Sequence, residues 1–230
     1  MKRFYKDVTL AHSDLGWHVM LDGRPIKTPS GAPQVVASKQ LAEMLATEWR
    51  SQGETIIPSS FRFRDMTDYA LDVVARDPAE IIDKLIGFAE TDTLCYRADP
   101  EEALYRRQQE LWEPLITELE AREGISLHRV SGIVHKAQPN GSLKKLRQRL
   151  AELPPLQLAA LELLTSLSAS LCVGLAALEE GADGEALWAA ASLEEEWQAD
   201  LWGREEEAEE RRARRKADFL AAMEFARAVG

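Results

Sequence analysis

A change in apolar spacing near residue 38 sets the tightest limit on what this chain can form. Ahead of it, β-branched and aromatic residues come in short runs, and Pro25, Pro29 and Pro33 interrupt any helix. Beyond it, apolar residues return every three or four positions, the spacing of a buried helical face. The pattern predicts an α+β protein: a small N-terminal sheet-containing domain over 1–76, then a larger, mostly helical bundle over 77–230.

Within the first part, "FYKDVTLAH" and "GWHVMLDGRPIKTP" read as strands, and Asp22-Gly23 is a strong short-range turn signal. "PQVVAS" is a further strand candidate, after which Ser38 is placed to cap a helix. Leu41, Leu45 and Trp49 form the apolar stripe of that helix, with Gly53 as its stop. Asp65 is expected to open the next helix, with Met66, Tyr69 and Val73 on one face. Pro78 suits a first helical turn.

Later segments are mostly helical. "PEEALYRRQQELWEPLITELEAREG" is closed by Gly124, and Pro114 is expected to kink or split it. "TDTLCYRA" reads as extended, and "ISLHRVSGIVHK" offers a strand or two. "PLQLAALELLTSLSASLCVGLAALEEG" is apolar on nearly every side and is expected to be the central helix of the bundle.

A formal charge of −11 argues against a nucleic-acid partner, because phosphates call for a basic patch. The one basic cluster, "RRARRK" from Arg211, follows a glutamate run and is expected to pair with it. Cys95 and Cys172 lie far apart without CxxC spacing, which fits a reducing compartment. No signal peptide is visible, and the uncharged run 163–178 is shorter than the ~20 residues of a membrane span. The expectation is a cytoplasmic protein that is not inserted in a membrane.

Phosphate-binding, dinucleotide-binding and nucleophile-elbow motifs are all missing. His12, His18, His128 and His135 lack metal-ligand spacing. Asp65, Asp68 and Asp72 fall close to one helical face and give a metal-dependent enzyme as an alternative reading. Their structural alternative is Asp65 as N-cap, Asp68 in the first turn and Asp72 bonded to a neighbour.

Most informative is "LEEEWQADLWGREEEAEERR", which sets tryptophans among carboxylates. On one continuous helix over 186–202, Ala186, Ala190, Leu193, Trp197 and Leu201 fall in a stripe about 80° wide, so Trp197 is expected in the core. Trp202 lies about 140° around, in a row with Glu194 and Gln198. That row is either a second buried face, shared with Leu187, Trp188 and Ala191, or an open surface for a partner. Glu207–Arg211 and Glu210–Arg214 are spaced to support the following helix.

Taken together, "RFYK", "LDGRPIKTP", "LAEMLATEWRSQGETIIP", "MTDYALD", "TDTLCYRA", "LYRRQQELWEPLI" and "LEEEWQADLWGREEEA" give the chain a resemblance to a known family. It resembles the assembly chaperones that hold the α subunit of the catalytic (F-one) head of ATP synthase. The resemblance implies an N-terminal α/β part, a C-terminal helical bundle, no catalysis and no cofactor or metal. It implies that the chain binds the unassembled α subunit, prevents its aggregation and promotes its assembly with the β subunit. Carried over by motif position, the partner-binding residues are Glu194, Glu195, Glu196, Gln198, Trp202, Gly203 and Glu206. In the "EWRSQ" match, Trp49 lies on the Leu41–Leu45 stripe and reads as core packing, while Gln52 is open to either a functional or a packing role. The mitochondrial members carry a transit sequence before the first motif, so a bacterial, cytoplasmic member, monomeric when free, is expected. A general helical scaffold in another complex is the remaining alternative.

Overall fold

A three-stranded sheet comes first, and most of the helices follow it. A computed structural model describes residues 1–132 and 134–229. The chain divides into two compact units. One comprises Met1–Pro78 with Pro154–Ala160 and Glu224–Gly230; the other comprises Ala79–Leu153 and Leu161–Met223.

In the first unit, β1 (Val8–Ser13), β2 (Gly16–Leu21) and β3 (Arg24–Pro25) form an antiparallel sheet in that order. Val8 faces Leu21 and Ser13 faces Gly16. The β2–β3 turn is the one Asp-Gly foretells, with φ of 48° at Asp22 and 76° at Gly23. The Asp22 carboxylate accepts the backbone N–H groups of Lys6 (3.0 Å) and Asp7 (2.8 Å), which holds this left-handed residue in place. "PQVVAS" forms no strand of its own. It makes two isolated bridges, Val36 to Trp17 and Pro33 to Lys27, and Pro33 has no N–H to continue a ladder.

Helix α1 (Lys39–Arg50) starts where Ser38 caps the Leu41 N–H at 3.2 Å, and it buries Leu41, Leu45 and Trp49 as expected. It ends before Gly53. Buried Gln52 closes the turn instead, donating to Glu48 O and accepting from Ile57 N.

Helix α2 (Arg62–Tyr69) begins ahead of the expected Asp65. Its cap comes from a distant residue: the buried Glu48 carboxylate accepts Phe63 N at 2.8 Å and Arg64 N at 2.9 Å. A π-turn over Ala70–Val74 then adds a residue to the winding. The buried face therefore passes from Met66 to Ala70 and Val74, and Val73 is left 45% exposed.

The second unit takes nearly all of α3 (Pro78–Glu90), with Pro78 in its first turn. After a 3-10 turn over Thr93–Cys95, β4 (Tyr96–Arg97) pairs in parallel with β5 (Val130–Ser131). Ile133, in "ISLHRVSGIVHK", lies outside the described residues. Helix α4 (Ala103–Glu123) runs unbroken through Pro114 and ends at left-handed Gly124. Burial of Trp112, Ile116 and Leu119 outweighs the one hydrogen bond that Pro114 removes. Helix α5 (Asn140–Ala151) follows.

The long apolar segment is two helices, not one: α6 (Pro155–Ser168), which starts in the first unit, and α7 (Leu171–Ala177). Ala169 adopts φ of 51°, and Ser170 caps Val173 N at 3.1 Å. Fully buried Asp92 fixes the break by accepting Ser170 Oγ at 2.7 Å and Cys172 N at 2.9 Å. Cys95 and Cys172 are both free, buried thiols. Helices α8 (Gly184–Ala191), α9 (Leu193–Trp202) and α10 (Glu206–Val229) complete the chain. Among the described residues, no helix is long and apolar enough to cross a membrane.

Candidate functional site

The acidic C-terminal stretch folds as α9, a glycine turn and the start of α10. The single helix expected over 186–202 does not exist. It breaks at Ser192, whose ψ of 6° lies outside the helical range and whose hydroxyl donates to Trp188 O at 2.8 Å. A break resets the helical phase, so the wheel drawn across it fails. Ala190 and Leu193 are buried, but Ala186 is exposed and Trp197, expected in the core, is only half-buried. Trp188 is the buried ring instead, 5.5 Å from Phe219 between centroids. Leu201 and Trp202 end α9 in solvent, 64% and 86% exposed.

Gly203 ends the helix with φ of 101° and ψ of 160°, a region that only glycine enters without strain. Its N–H bonds Ala199 O at 2.9 Å. The chain then turns so that α10 passes back along α9, and ion pairs staple the two. Arg204 reaches Asp200 (2.7 Å), Glu196 (2.9 Å) and Glu209 (3.3 Å). These partners hold its guanidinium charged more firmly than usual, the Asp200 bond foremost. Arg212, almost buried, pairs with Glu209 (2.6 Å) and Glu196 (3.0 Å), while Arg215 reaches Glu195 at 3.1 Å. The pairs Glu207–Arg211 (2.9 Å) and Glu210–Arg214 (3.7 Å) form as their spacing requires.

Glu194 faces inward. Its carboxylate accepts Gln108 Nε2 at 2.7 Å, and buried Gln108 in turn accepts Ala98 N at 2.8 Å. Burial pushes the Glu194 carboxyl up, and the Gln108 bond offsets part of that rise. Glu194 thus ties α9 to α4.

A groove of about 420 Å³ opens at the tip. Glu195, Gln198, Trp202 and Gly203 line it, together with Arg204, Glu205, Glu209 and Arg212. Of the other nominated residues, Glu196 is locked to Arg204 and Arg212, and Glu206 stands exposed in the first turn of α10. Sequence reasoning missed Leu201, Glu205 and the clamp made by Arg204 and Arg212. The one available signal for Leu201 was its place beside Trp202 at a helix-ending glycine.

The aspartate cluster has been used up by its own unit. Asp72 accepts Thr28 Oγ1 at 2.8 Å and Ser30 N at 2.9 Å, and Asp68 accepts Gln34 Nε2 at 2.5 Å. Asp65 pairs with Arg64 at 2.7 Å rather than capping α2. Among the described residues, no three His, Cys, Asp or Glu side chains converge as a metal site.

An α+β chain that sets large exposed apolar side chains among carboxylates on one helical turn has a surface of the kind that marks interaction sites, which is the class of a binding protein. The chain belongs to the family described as ATP12 chaperone protein, which its residues 2–120 match. It is 29% identical over 222 residues to the mitochondrial protein atp12 of Schizosaccharomyces pombe, covering 91% of this chain and 76% of that one. Its fold is similar to the crystal structure of Atp12 from Paracoccus denitrificans, with 34% identity, a TM-score of 0.94, and 100% and 98% of the two chains covered. The Atu1473 protein of Agrobacterium tumefaciens is similar too, at 37% identity and a TM-score of 0.94, covering 100% of this chain and 86% of that one. The family match stops short of the acidic hairpin, whereas the structural likeness spans it.

Proposed function

We propose that this chaperone binds the unassembled α subunit of the ATP synthase catalytic head, prevents its aggregation and yields it to the β subunit. The observation that carries the reading is Trp202, 86% exposed beside Leu201 on a helix whose flanks are carboxylates. An unassembled subunit displays apolar surface that its neighbour will later cover, and such surface self-associates. A holdase needs contact energy from rings to cover that patch, and charge to stay soluble and to separate. The docking residues are Glu195, Gln198, Trp202, Gly203 and Glu206, with Glu194 and Glu196 holding the helix that presents them. No turnover is required.

Refolding of purified α subunit in the presence of this protein tests the proposal. Equimolar chaperone should suppress light scattering without added nucleotide. Unchanged scattering, or dominant capture of an unrelated subunit from lysate, would count against it.

A further inference from the structure

We infer that the α9–α10 tip selects a client segment in which an apolar side chain is flanked by lysine or arginine. The inference rests on the reading of the tip as the docking face, and it names the chemistry that face recognises.

Three observations carry it. Leu201 and Trp202 are adjacent and open, so the centre of the contact is apolar. The rim around it is negative and partly uncompensated. Residues 193–210 hold nine carboxylates and a single arginine. That arginine, Arg204, is already shared among Glu196, Asp200 and Glu209. Arg211 and Arg214 are drawn to Glu207 and Glu210. Glu205 and Glu206, directly after the turn, are exposed and have no side-chain partner among the described residues. Finally, Arg212, the other cation lining the groove, is only 8% exposed and already paired with Glu209 (2.6 Å), Glu196 (3.0 Å) and Glu195 (3.6 Å), so it offers a client no free positive charge.

A client segment with acidic flanks would meet Glu205 and Glu206 as like charges. One with neutral flanks would gain only the indole contact. Basic flanks gain both, and the overall charge of −11 steers them toward the protein.

Short fluorescent peptides of three kinds test this: an apolar centre with lysine and arginine flanks, the same centre with acidic flanks, and one with serine flanks. Binding to the full chain is read by polarisation. The basic peptide should bind about ten-fold tighter than the acidic one in dilute buffer, and lose that advantage at about 0.5 M salt. Trp202→Ala should weaken it about ten-fold, and the double variant Glu205→Gln, Glu206→Gln roughly three- to ten-fold. Circular dichroism should show both variants as folded as the parent.

Equal binding of all three peptides, no binding of any at about 100 μM protein, or indifference to both variants would overturn the inference. The client assay separates it from the functional reading. If parent and double variant protect the α subunit equally at every salt concentration, the inference falls and the function stands. If the parent fails to protect the α subunit but the peptides behave as expected, the function falls and the inference stands.

Discussion

Trp188 and Trp202 carry the same ring to opposite fates. Trp188 is 4% exposed, packed on Phe219 and beneath the Arg215 guanidinium, whereas Trp202 has only solvent and groove around it. Trp188→Ala should therefore cost about 3–5 kcal/mol, while Trp202→Ala should change stability by less than about 0.5 kcal/mol; urea unfolding followed by circular dichroism distinguishes them. Sequence spacing alone favours Trp197 for the core, but that spacing holds only on an unbroken helix, and the helix breaks at Ser192. Glu194 makes a pH prediction. Burial raises its carboxyl above the unfolded value, and the Gln108 bond only partly offsets that. Its stabilising contribution is then complete below the unfolded pKa and is lost as pH rises through the folded one. Glu194→Gln keeps an acceptor for Gln108, so its stability should fall less than the parent's as pH rises from about 4 to 8, measured by urea midpoints. An unchanged slope would mean that Glu194 is hydrated in the folded protein.

Helix breaks decide where the functional side chains go. Gly203 has open space around its Cα, so a substitution there meets no clash and reports backbone strain alone. Gly203→Ala should cost about 1–3 kcal/mol by thermal unfolding, because φ of 101° is foreign to an L-residue. A neutral result would show that the turn can be rebuilt. The α6–α7 break depends on a residue far away in sequence. Asp92 accepts Leu94 N, Ser170 Oγ and Cys172 N from a fully buried position, and burial lifts its carboxyl above the ordinary range. Ser170→Ala should cost about 0.5–2 kcal/mol as a lost cap. Asp92→Ala should cost more, since it strands three donors, and the difference is measurable by urea unfolding. Local signals did reveal elements whose ends are set locally: Ser38 opens α1, Gly124 closes α4, and Asp22-Gly23 turns the hairpin. They missed the start of α2 and the α6–α7 break, because carboxylates from other segments, Glu48 and Asp92, hold the backbone there.

At the scale of the whole molecule, charge is arranged rather than merely abundant. Arg204 and Arg212 commit Glu196, Asp200 and Glu209 to holding α9 against α10, and Arg215 pairs with Glu195, which also lines the groove. The remaining exposed glutamates keep the tip negative. High salt should weaken both the staples and the client contact, so protection of the α subunit should decline with added salt faster than stability does; parallel light-scattering and urea measurements compare the two. The compact units also differ from a simple cut in the chain, because Pro154–Ala160 and Glu224–Gly230 belong with Met1–Pro78. No composition shift marks those two short returns, since Pro155–Ala160 is the first part of α6 and residues 224–229 are the last part of α10.

By itself, the sequence determined that a small sheet precedes the helical part, the α1 stripe, the hairpin turn, the pairing of the basic cluster with glutamates and the family. These rest on neighbours within a few positions, where periodicity and capping act, or on motifs spread along the chain. Only the tertiary structure decided which tryptophan is buried, where α2 starts and why one apolar segment is two helices. Each of those outcomes depends on a group distant in sequence, Glu48, Asp92 or Phe219, meeting a backbone donor or a ring that local spacing cannot see.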